Sequence, residues 1–247
     1  MQDLIVIKVG GNALDQLSTE FFEQLAAWRQ AGKQILLVHG GGPMISKLCQ
    51  KLNVPVTKTD GVRVTDEQTL ALTKLVLLGQ TQPLLLQKLS DHHLNVQGLN
   101  AASNYLLKGR YLDKAKYGQV GAITYVNQDA LMAELKTKIG VLAPLALTES
   151  GEWLNVNADQ AALAVASKLK AEKLYLLTDV AGVLANGKLV AKLSESTAAK
   201  LVQKGIITSG MFPKVKAALT AQRSGISQVF ITNSLAKQGT QIESEEW

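Results

Sequence analysis

Lys8 stands at the end of an apolar run, Leu4-Ile5-Val6-Ile7, and is followed by Val9-Gly10-Gly11. A second apolar run, Gln34–His39, ends on Gly40-Gly41-Gly42-Pro43. Glycines there let backbone N–H groups approach a ligand closely, and a helix that starts next favours an anion. Either cluster alone also reads as an ordinary tight turn. Neither is a standard nucleotide loop, because the chain has no G-x-x-x-x-G-K-[ST] and no G-x-G-x-x-G. In Asn155-Val156-Asn157-Ala158-Asp159, Asn157 can cap a helix, with Gln160 at the capping-box position. Capping explains Asn157 but not Asn155 and Asp159 together. An aspartate in a first helical turn stays ionised and can orient nearby lysines. In Gly210-Met211-Phe212-Pro213-Lys214, Pro213 suits a first turn. Lys214 then sits where the helix dipole disfavours a cation, unless an anion binds; a solvated surface lysine is the plainer alternative.

Other reactive side chains carry less. His39 precedes the glycine loop and reads as its brace rather than a base. His92 and His93 are adjacent and lack a third ligand, and no protein metal ligand is assigned. Cys49 reads as packing on a helix. Trp28, Trp153 and Trp247 form no cage.

The elements that must position these residues alternate between strand and helix. Strand patterns cover 4–9, 34–39, 95–99, 139–147, 173–178 and 227–232. Helical patterns cover 19–31, 43–52, 66–80, 83–91, 129–138, 158–170, 194–204 and 213–224, with Thr65-Asp66-Glu67-Gln68 read as a capping box. From Tyr105 to Asn127, glycines cut short β-rich segments, which read as hairpins at an edge or over a site mouth. This alternation predicts an α/β fold, a three-layer αβα sandwich around a mostly parallel sheet of about eight strands. In such sheets ligands bind beyond the C-terminal strand ends, where the two glycine clusters fall, so the loops after strands are where the chemistry is expected.

With 47% hydrophobic and 19% charged residues, the 247-residue chain can bury a large core. Its apolar runs are too short to span a bilayer, and no signal-peptide pattern opens it. One cysteine excludes an internal disulfide and a Cys-based zinc site. These features predict a cytoplasmic protein. A net charge of +6 without basic blocks, and with only 5% aromatics, suits a small polyanion better than nucleic acid. A merely solvated basic surface is the bland alternative.

Six segments occur in the order found in the amino acid kinase family: Lys8–Gly11, His39–Gly42, Gly61-Val62-Arg63-Val64-Thr65, Asn155–Asp159, Thr178–Val183 and Gly210–Lys214. The combination resembles the family, and Gly61–Thr65 with Asn155–Asp159 points to its acetylglutamate-phosphorylating branch. That resemblance implies MgATP-dependent phosphorylation of the γ-carboxylate of N-acetyl-L-glutamate, a step of arginine synthesis. It implies Lys8 and Lys214 on the transferring phosphoryl group, and Asp159 orienting both. Gly10 and Gly11 would offer amides to phosphate, Gly41 and Gly42 would hold the reacting carboxylate, and Arg63 would clamp the α-carboxylate. Asn155 and Asn157 would bind the acceptor. Asp179, Val180, Ala181, Gly182, Val183 and Leu184, with Ile206, Ile207 and Thr208, would line the ATP site, and Mg2+ would sit on phosphates and water. The resemblance implies one domain over 1–247, with residues to about 170 binding the acceptor and the rest binding ATP.

Family members inhibited by arginine carry an extra N-terminal helix. This chain starts almost at its first strand, so the resemblance implies an arginine-insensitive homodimer, with the helix at 66–80 as interface or as plain core. Asn100-Ala101-Ala102-Ser103-Asn104 departs from the family's pattern. A related acceptor, such as an N-blocked aminoadipate, is therefore the alternative substrate. A nicotinamide oxidoreductase would need the absent G-x-G-x-x-G. A non-catalytic ligand-binding regulator should have lost Lys8, Lys214 or Asp159, and all three are present.

Overall fold

The computed structural model of the chain describes residues 2–11, 13–208, 211–237 and 239–244. Gly210 and Trp247, both singled out above, lie outside that set. Eight strands among the described residues form the central sheet. They are β1 (Gln2–Val9), β2 (Gln34–His39), β3 (Val96–Leu99), β4 (Ile139–Leu142), β5 (Ala171–Leu177), β6 (Lys192–Leu193), β7 (Gln228–Thr232) and β8 (Thr240–Ile242). Their spatial order is β6-β8-β7-β5-β1-β2-β4-β3. Every neighbouring pair is parallel except β7 with β8. The expected mostly parallel sheet is thus present.

The helices are α1 (Thr19–Gln30), α2 (Gly42–Lys51), α3 (Glu67–Val76), α4 (Gln82–Asp91), α5 (Lys114–Tyr117), α6 (Gln128–Leu135), α7 (Ala158–Lys168), α8 (Glu195–Gln203) and α9 (Phe212–Arg223). No helix among the described residues is long and apolar enough to cross a membrane. The two-residue period of β1 feeds both faces of the sheet. Ile5, Ile7 and Val9 pack with Phe22 and Leu25 of α1 and with Leu85 and Leu89 of α4. Leu4 and Val6 join the core beneath α6, α7 and α9. Lys8 continues that second set, so the register of β1 aims it toward α7.

Four shorter strands make a second sheet in the order Trp153–Asn155, Leu145–Leu147, Leu107–Tyr111, Gly121–Val126. Leu107–Tyr111 and Gly121–Val126 form an antiparallel hairpin around α5, as the β-rich reading of 105–127 expected. Lys58–Thr59 and Val62–Arg63 form a small hairpin of their own.

Three local readings need correction. The stretch 139–147 is not one strand: Leu142 ends in the central sheet and Leu145 begins in the second, because Pro144 lacks the N–H a ladder needs. The helix at 66–80 does not stop before Pro83. A π-helical turn, Leu77–Thr81, joins α3 to α4, and the Gln82 N–H reaches back to Leu77 O. Pro83 then falls in the first turn of α4, where its missing N–H matters least. The capping residue of α3 is Asp66 rather than Thr65, since Asp66 Oδ1 accepts from the Thr69 N–H at 2.7 Å. Thr65 is fully buried and bonded elsewhere.

Candidate active site

Parallel pairing brings the C-terminal ends of β1, β2, β4 and β5 to one edge, and the loops there enclose a cleft of about 430 Å³. It is lined by Lys8, Gly11, Gly41, Gly42, Arg63, Asn155, Asn157, Asp159 and Lys214, which come from segments spread over two hundred residues. A second hollow of about 190 Å³ adjoins it, lined by Lys8, Gly10, Gly11, Asp179 and Lys214 among others. The N-termini of α2, α7 and α9 all open here, through Pro43, Ala158 and Lys214. Three positive dipole ends, with Lys8, Lys58, Arg63 and Lys214, give the cleft a strongly positive field. Asp159 is the acidic side chain in its lining.

Lys8 is 8% exposed, and its Nζ lies 3.0 Å from Asp159 Oδ1. The pair is a charge contact without hydrogen-bond alignment, so that buried oxygen keeps no hydrogen-bond partner among the described residues. Asp159 is held in turn by its helix start. Asn157 Oδ1 accepts from the Asp159 N–H at 2.9 Å and from the Gln160 N–H at 3.2 Å, a cap worth about 1 kcal/mol. Lys214 reaches the same cleft from the first turn of α9 but forms no ion pair among the described residues. Its charge is felt instead by Asp179. That carboxyl is held below its usual range by the Thr178 hydroxyl, then by its own backbone N–H, and then by Lys214.

The two glycine loops interlock. The Gly40 N–H donates to Val9 O at 2.8 Å. A Cβ on Gly11 would stand 2.8 Å from Pro43 Cδ, and one on Gly41 would stand 2.8 Å from Leu77 Cδ2. A side chain at Gly11 would strike the rigid Pro43 ring and one at Gly41 would displace the Leu77 methyl, so as it stands backbone forms this part of the wall. His39 sits fully buried under this loop, its Nδ1 3.2 Å from Gly40 O. Burial pushes its imidazole down to about 4, so it stays neutral and braces the loop.

Arg63 is carried in by the hairpin at 58–63. Its Nη2 donates to Gly42 O at 3.0 Å and to Ser46 Oγ at 2.8 Å. Its Nη1 is buried in the cleft wall with no hydrogen-bond partner among the described residues. Partial burial lowers the guanidinium's affinity for its proton without discharging it. An unpaired guanidinium nitrogen beside a cleft is a place for a carboxylate. Ser46, one turn into α2, escaped the sequence reading; its spacing four residues after Gly42 is the signal that would have found it.

Most of the segment expected to line an ATP site does not line either hollow with side chains. Val183 and Ile207 are buried in the core. The Val183 N–H already donates to Thr240 Oγ1 at 2.8 Å, and its carbonyl accepts from the Val190 N–H. Leu184 is exposed at the start of a two-stranded hairpin, Leu184–Ala185 with Lys188–Leu189. Asp179 alone of the nine residues touches a hollow described above.

A sequence model of the Amino acid kinase family matches residues 3–233. This chain belongs to that family. Its relatives include an acetylglutamate kinase of Lactiplantibacillus plantarum, 55% identical over 99% of both chains. Another, from Leuconostoc mesenteroides, is 48% identical over 96% of this chain and 97% of its own. A crystal structure of a Streptococcus mutans protein superposes with a TM-score of 0.93 at 39% identity, covering 99% of this chain and all of the other. The architecture built above is therefore the family's fold.

Proposed function

We propose that the protein is an acetylglutamate kinase. It moves the γ-phosphoryl group of ATP to the γ-carboxylate of N-acetyl-L-glutamate, giving N-acetyl-L-glutamyl 5-phosphate and ADP, a step of arginine biosynthesis. The observation that carries this reading is the convergence of Lys8, Lys214 and Arg63 with three helix N-termini on one cleft.

The reaction joins an anion to a polyanion, so its difficulty is charge. A carboxylate oxygen attacks the γ-phosphorus as the bond to the β–γ bridging oxygen breaks, and the electron pair leaves on ADP. The carboxylate is already ionised near neutral pH, so no general base is needed. Positioning and charge neutralisation do the rest. Lys8, steadied by Asp159, faces the equatorial phosphoryl oxygens. Lys214 approaches from the other side, toward the leaving oxygen. Backbone N–H groups of Gly10 and Gly11 hold phosphate, and those of Gly41 and Gly42 hold the reacting carboxylate. Arg63 Nη1 takes the α-carboxylate, and Asn155 the acylamino group beside it.

Residues to about 170 hold the acceptor, and 171–247 hold ATP. Recognition of the nucleotide along 179–184 and 206–208 then falls to Asp179 and to backbone groups other than the N–H of Val183, Ile206 and Ile207, which are already paired, since the Val183 and Ile207 side chains turn inward. Asp159 is tied to Lys8, and Asp179 to the Thr178 hydroxyl. That arrangement suits a magnesium ion held by phosphate oxygens and water. When bound, it would neutralise charge on the β- and γ-phosphates.

Two copies associate through α3. Leu70, Leu72 and Val76 of this helix are buried in the chain's own core, but Leu75 is 63% exposed. The enzyme works in the cytoplasm, where its ATP is supplied.

Trapping the product tests the reading. With MgATP, N-acetyl-L-glutamate and hydroxylamine, the protein should yield one hydroxamate per ADP. ADP release without hydroxamate, or no turnover, would remove the assignment.

A further inference from the structure

We propose that Thr65 is a positioning residue: it fixes which atom Asn155 shows to the acceptor and so selects acceptors that carry an N–H beside their carboxylates. The inference rests on the kinase reading above and deepens it. Thr65 is fully buried. Its hydroxyl has one proton, donated to Arg63 O at 2.9 Å. Toward Asn155 it can therefore only accept, and it does so from Asn155 Nδ2 at 3.0 Å. That bond sets the amide's rotation. One of the two Nδ2 hydrogens is thereby committed to Thr65, and Oδ1, turned to the opposite side, is left as an acceptor without a partner among the described residues.

The backbone holds Thr65 just as firmly. Its N–H donates to Tyr117 O at 3.0 Å, and its carbonyl accepts from the Gln119 N–H at 2.6 Å. The Asn155 N–H donates to Gln119 O at 2.9 Å. The hairpin bearing Arg63, the 117–119 turn and Asn155 are thus tied together at one threonine.

The cleft's composition gives the free oxygen its meaning. Lys8, Lys58, Arg63 and Lys214 supply only donors. The Asp159 carboxylate faces Lys8, and Asn157 Oδ1 is spent on its helix cap. Asp159 Oδ1 has no hydrogen bond among the described residues but is held in the ion pair with Lys8, so Asn155 Oδ1 is the uncharged side-chain acceptor left open among these charged and amide groups. An ionised acylamino diacid offers acceptors everywhere except at its single amide N–H. This open, uncharged acceptor matches that one donor.

The test compares N-acetyl-L-glutamate with its ester analogue, O-acetyl-2-hydroxyglutarate, which lacks the N–H. Wild type should favour the amide by about tenfold or more in kcat/KM, because the ester leaves Oδ1 facing an oxygen. In Thr65→Val the preference should shrink to about twofold and the acceptor KM should rise, while the ATP KM stays within about twofold. Thr65→Ser, which keeps the hydroxyl, should restore the wild-type preference. A folded Thr65→Val that keeps the full preference would overturn the role. So would a wild type that uses both acceptors equally, a result that stands even if the valine variant does not fold. Failure of wild type to turn over N-acetyl-L-glutamate would instead sink the kinase reading, and this selection with it.

Discussion

On the side of the cleft proposed for the acceptor, Arg63 and Asn155 are gripped by Ser46 and Thr65, and Lys8, proposed for the phosphoryl group between the two sides, is gripped by Asp159. On the side proposed for the nucleotide, Lys214 has no ion pair among the described residues, and of the segment at 179–184 only Asp179 lines a hollow. The two sides answer different recognition problems. In the proposed reaction a small diacid offers few handles, so the side chains that would read it, Arg63 and Asn155, are set in place beforehand. A nucleotide brings its own large charge and can pull a first-turn lysine into position.

That contrast can be broken most sharply at the two lysines. Lys8→Ala should lower kcat by about a thousandfold while the ATP Kd changes by only a few fold, as expected for a donor aimed at charge that builds in the transition state. Lys214→Ala should cost a similar factor. Because its position depends on the nucleotide, it should also weaken ATP binding more than Lys8→Ala does. Equal effects on ATP Kd, measured by titration calorimetry, would erase the distinction between a held and an unheld lysine.

Arg63→Ala comes next. Removing the guanidinium should raise the acceptor KM by about a hundredfold and leave the ATP KM unchanged. Initial-rate kinetics with each substrate varied in turn would show it. An unchanged acceptor KM would take Arg63 out of the site.

The same contrast explains what could be read from the sequence. Lys8 was legible because the strand bearing it is a buried apolar run, and its period places residue 8 on the α7 face. Asn157 was legible because capping is a local rule satisfied within three residues. Thr65 was misassigned because its partners, Tyr117, Gln119 and Asn155, are distant in sequence, and the local signal favoured a cap one residue early. The strands β6 and β8 were invisible for a related reason: two or three residues become strand only by pairing at the sheet's edge. The segment expected to line an ATP site was recognisable as a motif, but nothing in its residue types reveals that Val183 spends its N–H and carbonyl on Thr240 and Val190.

His39 sharpens the comparison through stability. It lies buried under the acceptor loop, while His92 and His93 are exposed. In the unfolded chain an imidazole takes its proton near pH 6.5, whereas burial holds that of folded His39 to about 4. Between those values the unfolded state binds the extra proton. Stability is therefore intact above pH 6.5 and falls as the pH drops toward 4. Unfolding by urea should show about 2 kcal/mol less stability at pH 5 than at pH 7. His39→Asn should flatten that slope, and an equal slope in the variant would assign it elsewhere.

The smallest effect is the most discriminating. Ser46 touches Arg63 and is not itself in the cleft lining. Ser46→Ala deletes the 2.8 Å bond to Nη2 but leaves the 3.0 Å bond to Gly42 O, so the guanidinium stays near its place with more freedom. A loss of about 1 kcal/mol, or about fivefold in acceptor KM, should follow, with kcat and ATP KM unmoved. If pre-set side chains are what the acceptor side depends on, Arg63→Ala should then be insensitive to the serine. The double variant Ser46→Ala/Arg63→Ala should match Arg63→Ala alone, because the serine acts only through the arginine. Additive losses would mean that Ser46 contributes to the acceptor side by another route, and that the grip on Arg63 is not what prepares the site.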